Sequence, residues 1–359
     1  MGCEIHYASN FNNPVYSFDE KDLENQGIVL HKITVAKSPA KIGANLKAIR
    51  QLKKIIDENA IDMIHCHNPM GGVAGRIAAR ISKRKPYVIY TAHGFHFYKG
   101  APLFNWMAYY PVERFLSRYT DQLITINRED YERAEKLPIG RMKGKGNPVQ
   151  IHGVGVDKNR FCPRPETAVA KRTELKVPEK VFHIVTAAEL NHNKNQQVII
   201  RAIAELKREG INDIYYSICG KGSDEQKLND LIMKLHIEDR VKLIGYRTDM
   251  EEILQTADCF AFPSYREGFG VAAVEALLSG VPLIVSDNRG TREYAVSGEN
   301  GIVCKKNKVE DFSRAIQEMY SNEEMRMKMK SNCRQSAEKF TVEETEKTMK
   351  EVYEGWVSR

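Results

Sequence analysis

Short apolar runs alternate with longer amphipathic stretches along almost the whole chain. Runs that read as strands cover residues 4–9, 27–33, 61–67, 87–92, 122–126 and 148–153, then 182–188, 214–220, 241–246, 259–264 and 282–287. Between them apolar residues recur at helical spacing over 44–59, 70–84, 103–118 and 128–136, then over 194–209, 223–236, 248–256, 269–279 and 308–320. Strands that are apolar at most positions are buried on both faces, as in parallel sheets covered by helices. The alternation occurs twice, which predicts an α/β fold of two Rossmann-like, doubly wound domains with ligands at the carboxyl ends of the strands.

The stretch 157–180 carries three prolines and many charges without a clear strand. It sets the expected domains at 1–157 and 158–339, followed by a helix over 340–359 that is expected to reach back to the first domain. Residues 322–357 read as helix after helix. The chain enters its first strand at once, through Gly2-Cys3-Glu4-Ile5-His6. Such a strand resembles the second of its class, so a leading strand, loop and helix of roughly 20–30 residues are expected ahead of it.

Composition is that of a folded protein: of 359 residues, 42% are apolar and 28% charged. Neither a membrane-length apolar run nor a basic-then-apolar leader is present in this sequence, which predicts a cytoplasmic protein. The seven cysteines are odd in number, scattered and without a C-x-x-C pair. That argues against a disulfide framework or a clustered zinc site, and predicts small buried residues. The net charge of +7 is unevenly placed, with 24 Lys/Arg against 15 Asp/Glu in residues 1–160. An anionic partner such as a membrane surface or lipid phosphate would suit that half, and a merely solvated surface would explain it too. No nucleic-acid motif accompanies the charge.

The most informative segment is Pro263-Ser-Tyr-Arg-Glu267-Gly-Phe-Gly270-Val-Ala-Ala-Val-Glu275. A strand runs into a glycine-punctuated turn that opens a helix, whose free amides can hold a phosphate. Gly268 and Gly270 let backbone approach closely. Glu267 and Glu275 would repel a phosphate and therefore suit sugar or ribose hydroxyls; helix capping and a surface position are the alternatives. His93 follows the strand 87–92, at a ligand-binding end. His65 and His67 lie on one side of the strand 61–67, also at its end, and suit an acceptor-side or structural role better than a metal. Gly71, Gly72 and Gly75 open an anion site or allow tight helix packing. Phe95, Phe97 and Tyr98 line a groove or pack inside.

The E-x7-E pair Glu267/Glu275, its Gly-Phe-Gly turn and the following SGVPLIVSDNRGTREYAVSGENGIV resemble the donor half of family 4 retaining glycosyltransferases with the glycosyltransferase-B fold. AHGFHFYKG and IHGVGVD extend the resemblance over nearly the whole chain, closest to bacterial capsular and extracellular polysaccharide members. The resemblance implies two lobes facing a cleft and transfer of a hexose or N-acetylhexosamine from a nucleotide-diphospho-sugar, by family habit UDP-linked. It implies a lipid-linked or oligosaccharide acceptor, and neither a cofactor nor a catalytic metal. By position, His93 would reach the transferred sugar and Lys194 would neutralise the leaving diphosphate. Glu267 would hold the sugar and Glu275 the ribose, with phosphate on the amides around Gly268, Phe269 and Gly270. Glu189 stands where the family usually has arginine, which removes one cation from the phosphate site. Arg247 would stack on the base or support a phosphate, or else pair with Asp249. His96 joins His65 and His67 on the acceptor side. The Gly153/Gly155 loop would face the cleft. The apolar segment 100–111 suits a membrane surface or packing within the domain. An inactive, shortened relative that only binds nucleotide sugar is the alternative.

Overall fold

The computed structural model describes residues 2–12, 19–140, 146–305 and 307–357. The chain divides into two compact units, 1–150 and 151–359. The division falls ahead of the expected 157/158 join because the stretch after Gln150 is tied to the second unit: the Val156 amide donates to the Phe340 carbonyl, and Val342 donates to Val156.

In the first unit β1 (Ile5–Ser9), α1 (Glu20–Asn25), β2 (Ile28–Lys32) and α2 (Ile42–Glu58) lead into β3 (Met63–His67) and α3 (Pro69–Ile81). Then come β4 (Tyr87–Ala92), α4 (Leu103–Leu116), β5 (Gln122–Thr125), α5 (Arg128–Ala134) and β6 (Asn147–Gln150). Every pairing is parallel, as expected. The strands form not one sheet but two, β1–β2 and β3–β4–β5–β6. The tight-packing reading of the glycines holds at two of three positions: a side chain at Gly72 would strike the Tyr90 ring and one at Gly75 the Cys66 thiol, whereas nothing adjoins Gly71.

The second unit runs through α6 (Ala168–Glu174), β7 (Phe182–Ala187), α7 (Gln196–Arg208), β8 (Ile214–Cys219), α8 (Glu225–Lys234), β9 (Val241–Gly245) and α9 (Met250–Ile253). It continues with β10 (Cys259–Phe262), α10 (Val271–Leu278), β11 (Leu283–Ser286), β12 (Gly301–Cys304), α11 (Val309–Ser321), α12 (Glu323–Ala337) and α13 (Val342–Val357). Its parallel sheet has the order β12-β11-β10-β7-β8-β9. β7 is therefore central, and strand order reverses between β7 and β10. In open parallel sheets ligands bind beside such a reversal, at the carboxyl ends of the two strands.

Five of the seven cysteines are buried; Cys3 is exposed and Cys162 half-buried, against the expectation of uniform burial.

Candidate donor site and the histidine cluster

The two loops at the β7/β10 switch are stitched together. After β7, Asn191 caps the turn carrying Lys194 by accepting the Lys194 amide at 3.1 Å. Asn193 donates its side-chain amide to the Arg266 carbonyl at 2.9 Å and accepts the Tyr265 amide at 2.8 Å. Asn195, at φ 52°, turns the chain into α7 and donates to Asn307 at 2.8 Å. This frame places the Lys194 ammonium 2.6 Å from Glu267, with side chains 20% and 10% exposed. The same ammonium lies over the Phe262 ring, 5.1 Å from its centroid. Lys194 and Glu267, expected as partners of one donor, are thus in direct contact.

α10 starts at Val271 because Gly270 adopts φ 98°, and no side chain caps the helix. Ala273 donates to the Gly270 carbonyl at 3.2 Å, so the Val271 and Ala272 amides are the ones without an intrahelical partner, at the positive end of the helix dipole. Phe269 is 3% exposed, wedged against Tyr294 and Phe340 at ring distances of 5.5 and 5.3 Å. Its side chain is a packing anchor, so only backbone in this turn is left to face a ligand. The Gly153 loop lies against that anchor: a side chain there would meet the Phe269 ring. Gly155, at φ 80°, approaches the backbone of Val342 at the start of α13.

Glu275 sits half-buried on α10. Burial pushes its carboxyl up to about 7, which nearby Arg160 opposes and Glu251 reinforces. Arg160 is held by Glu251 at 2.9 Å and the Thr248 carbonyl at 2.8 Å. Arg247 forms the ion pair that was its alternative reading: Nε meets Asp249 at 2.8 Å and Nη2 meets Glu174 at 2.7 Å. Lys171 joins them, 2.6 Å from Glu174, 2.9 Å from Asp249 and 2.6 Å from Glu252. Glu174, Asp249 and Glu252 converge closely enough for a metal, but each is already paired with Lys171, and Glu174 and Asp249 with Arg247 as well. Glu189 is exposed beyond β7, with its carbonyl taken by the Gln196 side chain at 3.0 Å.

In the first unit, His65, His67 and His93 gather at the carboxyl ends of β3 and β4. His67 Nδ1 lies 3.2 Å from His93 Nε2, and His65 Nε2 is 2.7 Å from the Thr91 hydroxyl. Burial, aided by the neighbouring imidazoles, lowers His65 to about 3 and His67 to about 4. Burial also lowers His93. All three are therefore neutral at physiological pH, and each ring offers one donor and one acceptor nitrogen. His96 has another setting, stacked on Tyr109 of α4 at 4.6 Å, with its carbonyl held by Asn105. Phe95 and Phe97 pack inside, 4% and 2% exposed, with Trp106 and Tyr110 against Phe97.

Sequence reasoning missed two features. Arg76, 1% exposed, makes a two-pronged ion pair with Glu113 at 2.5 and 2.9 Å that fastens α3 to α4. Tyr294, 3% exposed, places its hydroxyl beside Gly270. A buried charge among apolar residues in an otherwise amphipathic helix was the available signal for Arg76; none marked Tyr294.

Two parallel α/β units, the second with an uncapped helix start and a lysine–glutamate pair at its switch point, have the makings of a glycosyltransferase-B protein. The family model described as glycosyl transferases group 1 matches residues 169–336, and that described as glycosyl transferase 4-like matches residues 2–127. The chain is 40% identical over 359 residues to EpsD of Bacillus subtilis (strain 168), covering 99% of this chain and 90% of that one. It belongs to the family 4-like glycosyltransferases of the glycosyltransferase-B fold. A second relative, 28% identical over 81% of this chain and 74% of its own length, is the UDP-Gal:alpha-D-GlcNAc-diphosphoundecaprenol alpha-1,3-galactosyltransferase of Escherichia coli. The crystal structure of Anabaena HepE in complex with UDP and glucose shares the fold, with a TM-score of 0.77, 20% identity, and coverage of 94% of this chain and 89% of that one.

Proposed function

We propose that the chain is a retaining glycosyltransferase moving a hexose or N-acetylhexosamine from a UDP-sugar to a lipid-linked or oligosaccharide acceptor, in the synthesis of bacterial capsular or extracellular polysaccharide. The observation that carries this is the Lys194–Glu267 pair beside the uncapped start of α10. The amides and the ammonium suit a diphosphate, Glu267 suits sugar hydroxyls, and Glu275 suits the ribose. The Escherichia coli relative, named for UDP-Gal and a diphosphoundecaprenol-linked sugar, supports the donor and acceptor classes.

The step needs no protein nucleophile. An acceptor hydroxyl oxygen bonds to the sugar's anomeric carbon on the face from which the diphosphate departs. The carbon–oxygen bond to phosphate breaks with its electron pair going to the leaving group, and the hydroxyl proton passes to a phosphate oxygen. Lys194 and the α10 amides stabilise the departing charge, so the chemistry is met without a resident metal or cofactor. His93 suits the transferred sugar, and His67 beside it suits acceptor hydroxyls.

Among the described residues no helix is long and apolar enough to cross a membrane. A lipid-linked acceptor instead calls for docking on an anionic membrane surface, and α4 suits it. Leu103, Phe104 and Met107 are 74%, 71% and 69% exposed, and Phe115 is 52% exposed. At helical spacing they share a side with Arg114. Arg80 lies over the Tyr119 ring, which meets Phe115 edge-on. Sedimentation with phosphatidylglycerol vesicles tests this: wild type should pellet and the Phe104→Glu/Met107→Glu variant should not. Equal pelleting of both removes α4 from the reading. The function is tested by mass-spectrometric screening of nucleotide sugars with a polyprenyl-diphosphate-linked sugar acceptor, with the new linkage's anomer read by NMR. An α-linked product from an α-linked UDP-sugar is expected; an inverted product overturns retention. UDP binding with neither transfer nor hydrolysis would make the chain an inactive binding relative.

A further inference from the structure

We propose that Tyr294 is a donor-binding residue, its phenol hydroxyl donating a hydrogen bond to the distal phosphate of a nucleoside diphosphate seated on the first amides of α10. This rests on the donor reading above. The starting observation is an orphan. Tyr294 is 3% exposed, and its hydroxyl has no hydrogen-bond partner among the described residues. Buried phenol hydroxyls ordinarily have one, so an unpaired example calls for an explanation.

The ring is fixed in place. It meets Phe269 edge-on at 5.5 Å and Phe340 at 6.2 Å, and the Tyr294 carbonyl accepts the Asn300 side chain at 2.7 Å. These contacts aim the hydroxyl at the turn that opens α10: it lies 2.7 Å from where a Cβ of residue 270 would sit. The Phe262 ring is equally close to that point, and the Lys194 ammonium rests over the same ring. The orphan hydroxyl, the ammonium and the uncapped amides therefore surround one glycine turn. Only glycine at 270 leaves the hydroxyl room, and its φ of 98° is one that residues with side chains rarely adopt. Burial and the neighbouring Glu267 both keep the phenol protonated, so it can donate and suits a phosphate oxygen. The hydroxyl is covered at the Gly270 turn, whose backbone must shift as phosphate settles on it.

The test is Tyr294→Phe, which keeps the ring and removes only the hydroxyl, with UDP and UMP titrated calorimetrically against the full chain. UMP lacks the distal phosphate. The expected result is about tenfold weaker UDP binding, as for loss of one hydrogen bond to a charged group, with UMP binding unchanged. Melting temperature should hold or rise, since a buried unpaired hydroxyl is removed. Unchanged UDP affinity, equal weakening of UDP and UMP, or a lowered melting temperature each overturn the proposal. A wild type that binds neither nucleotide fails the donor reading itself, and this inference falls with it.

Discussion

The Lys194–Glu267 contact makes predictions of opposite sign for its two members. At 2.6 Å, with side chains 20% and 10% exposed, the pair lies between surface and core. Breaking a buried pair by removing one partner loses about 3–5 kcal/mol, whereas an exposed pair is worth under about 1, so Lys194→Ala should lose about 2 kcal/mol of stability. It also removes a cation from the phosphate site, worth about 1.5–3 kcal/mol, or about 10–150-fold in the Kd for UDP. Glu267→Gln removes the acid that shares the ammonium with the incoming phosphate. UDP alone should then bind as well as before or more tightly, while sugar transfer falls. Calorimetric titration of UDP into wild type and both variants, each melted in parallel, separates the two. Equal loss of UDP affinity in both variants, or none in Lys194→Ala, would refute the reasoning.

Two further outcomes follow from burial. Glu275 ionises near 4.5 in the unfolded chain and about 7 in the folded one, because burial disfavours its charge. Between those values the folded state holds more protons, so this group's contribution to stability falls as pH rises from 4.5 to about 7 and is flat above. Glu275→Gln should remove that slope from melting temperature against pH; an unchanged slope assigns it to other groups. Glu113→Ala strands the buried Arg76 guanidinium and should lower the stability of the first unit by about 3–5 kcal/mol in denaturant unfolding, whereas joint replacement by Met and Leu should lose far less. Equal losses would mean that the ion pair itself, and not a stranded guanidinium, accounts for the loss.

The alternation of elements was legible because a strand buried on both faces and an amphipathic helix leave different periods in the sequence. Boundaries were less so. α7 and α10 start two residues later than their apolar patterns, since Asn195 and Gly270 adopt left-handed backbone that the pattern does not register. β12 escaped as a four-residue run opened by glycine, and the separation of β1–β2 from β3–β6 is a pairing choice that no local pattern encodes. At the site, Lys194 and Glu267 could be named from motif resemblance, but their mutual contact could not. Arg247 shows the reverse: its ion pair with the nearby Asp249 was readable, whereas Glu174 and Lys171 arrive from a different helix. Tyr294 left no trace in sequence because its role depends on ring packing against Phe269 and Phe340.

A crystal structure of the chain with UDP tests the donor site at the β7/β10 switch most directly. The distal phosphate should lie on the opening amides of α10 within hydrogen-bond reach of Lys194, and the ribose hydroxyls on Glu275. A nucleotide bound away from the β7/β10 switch, or one whose phosphates leave Lys194 paired only with Glu267, would contradict it.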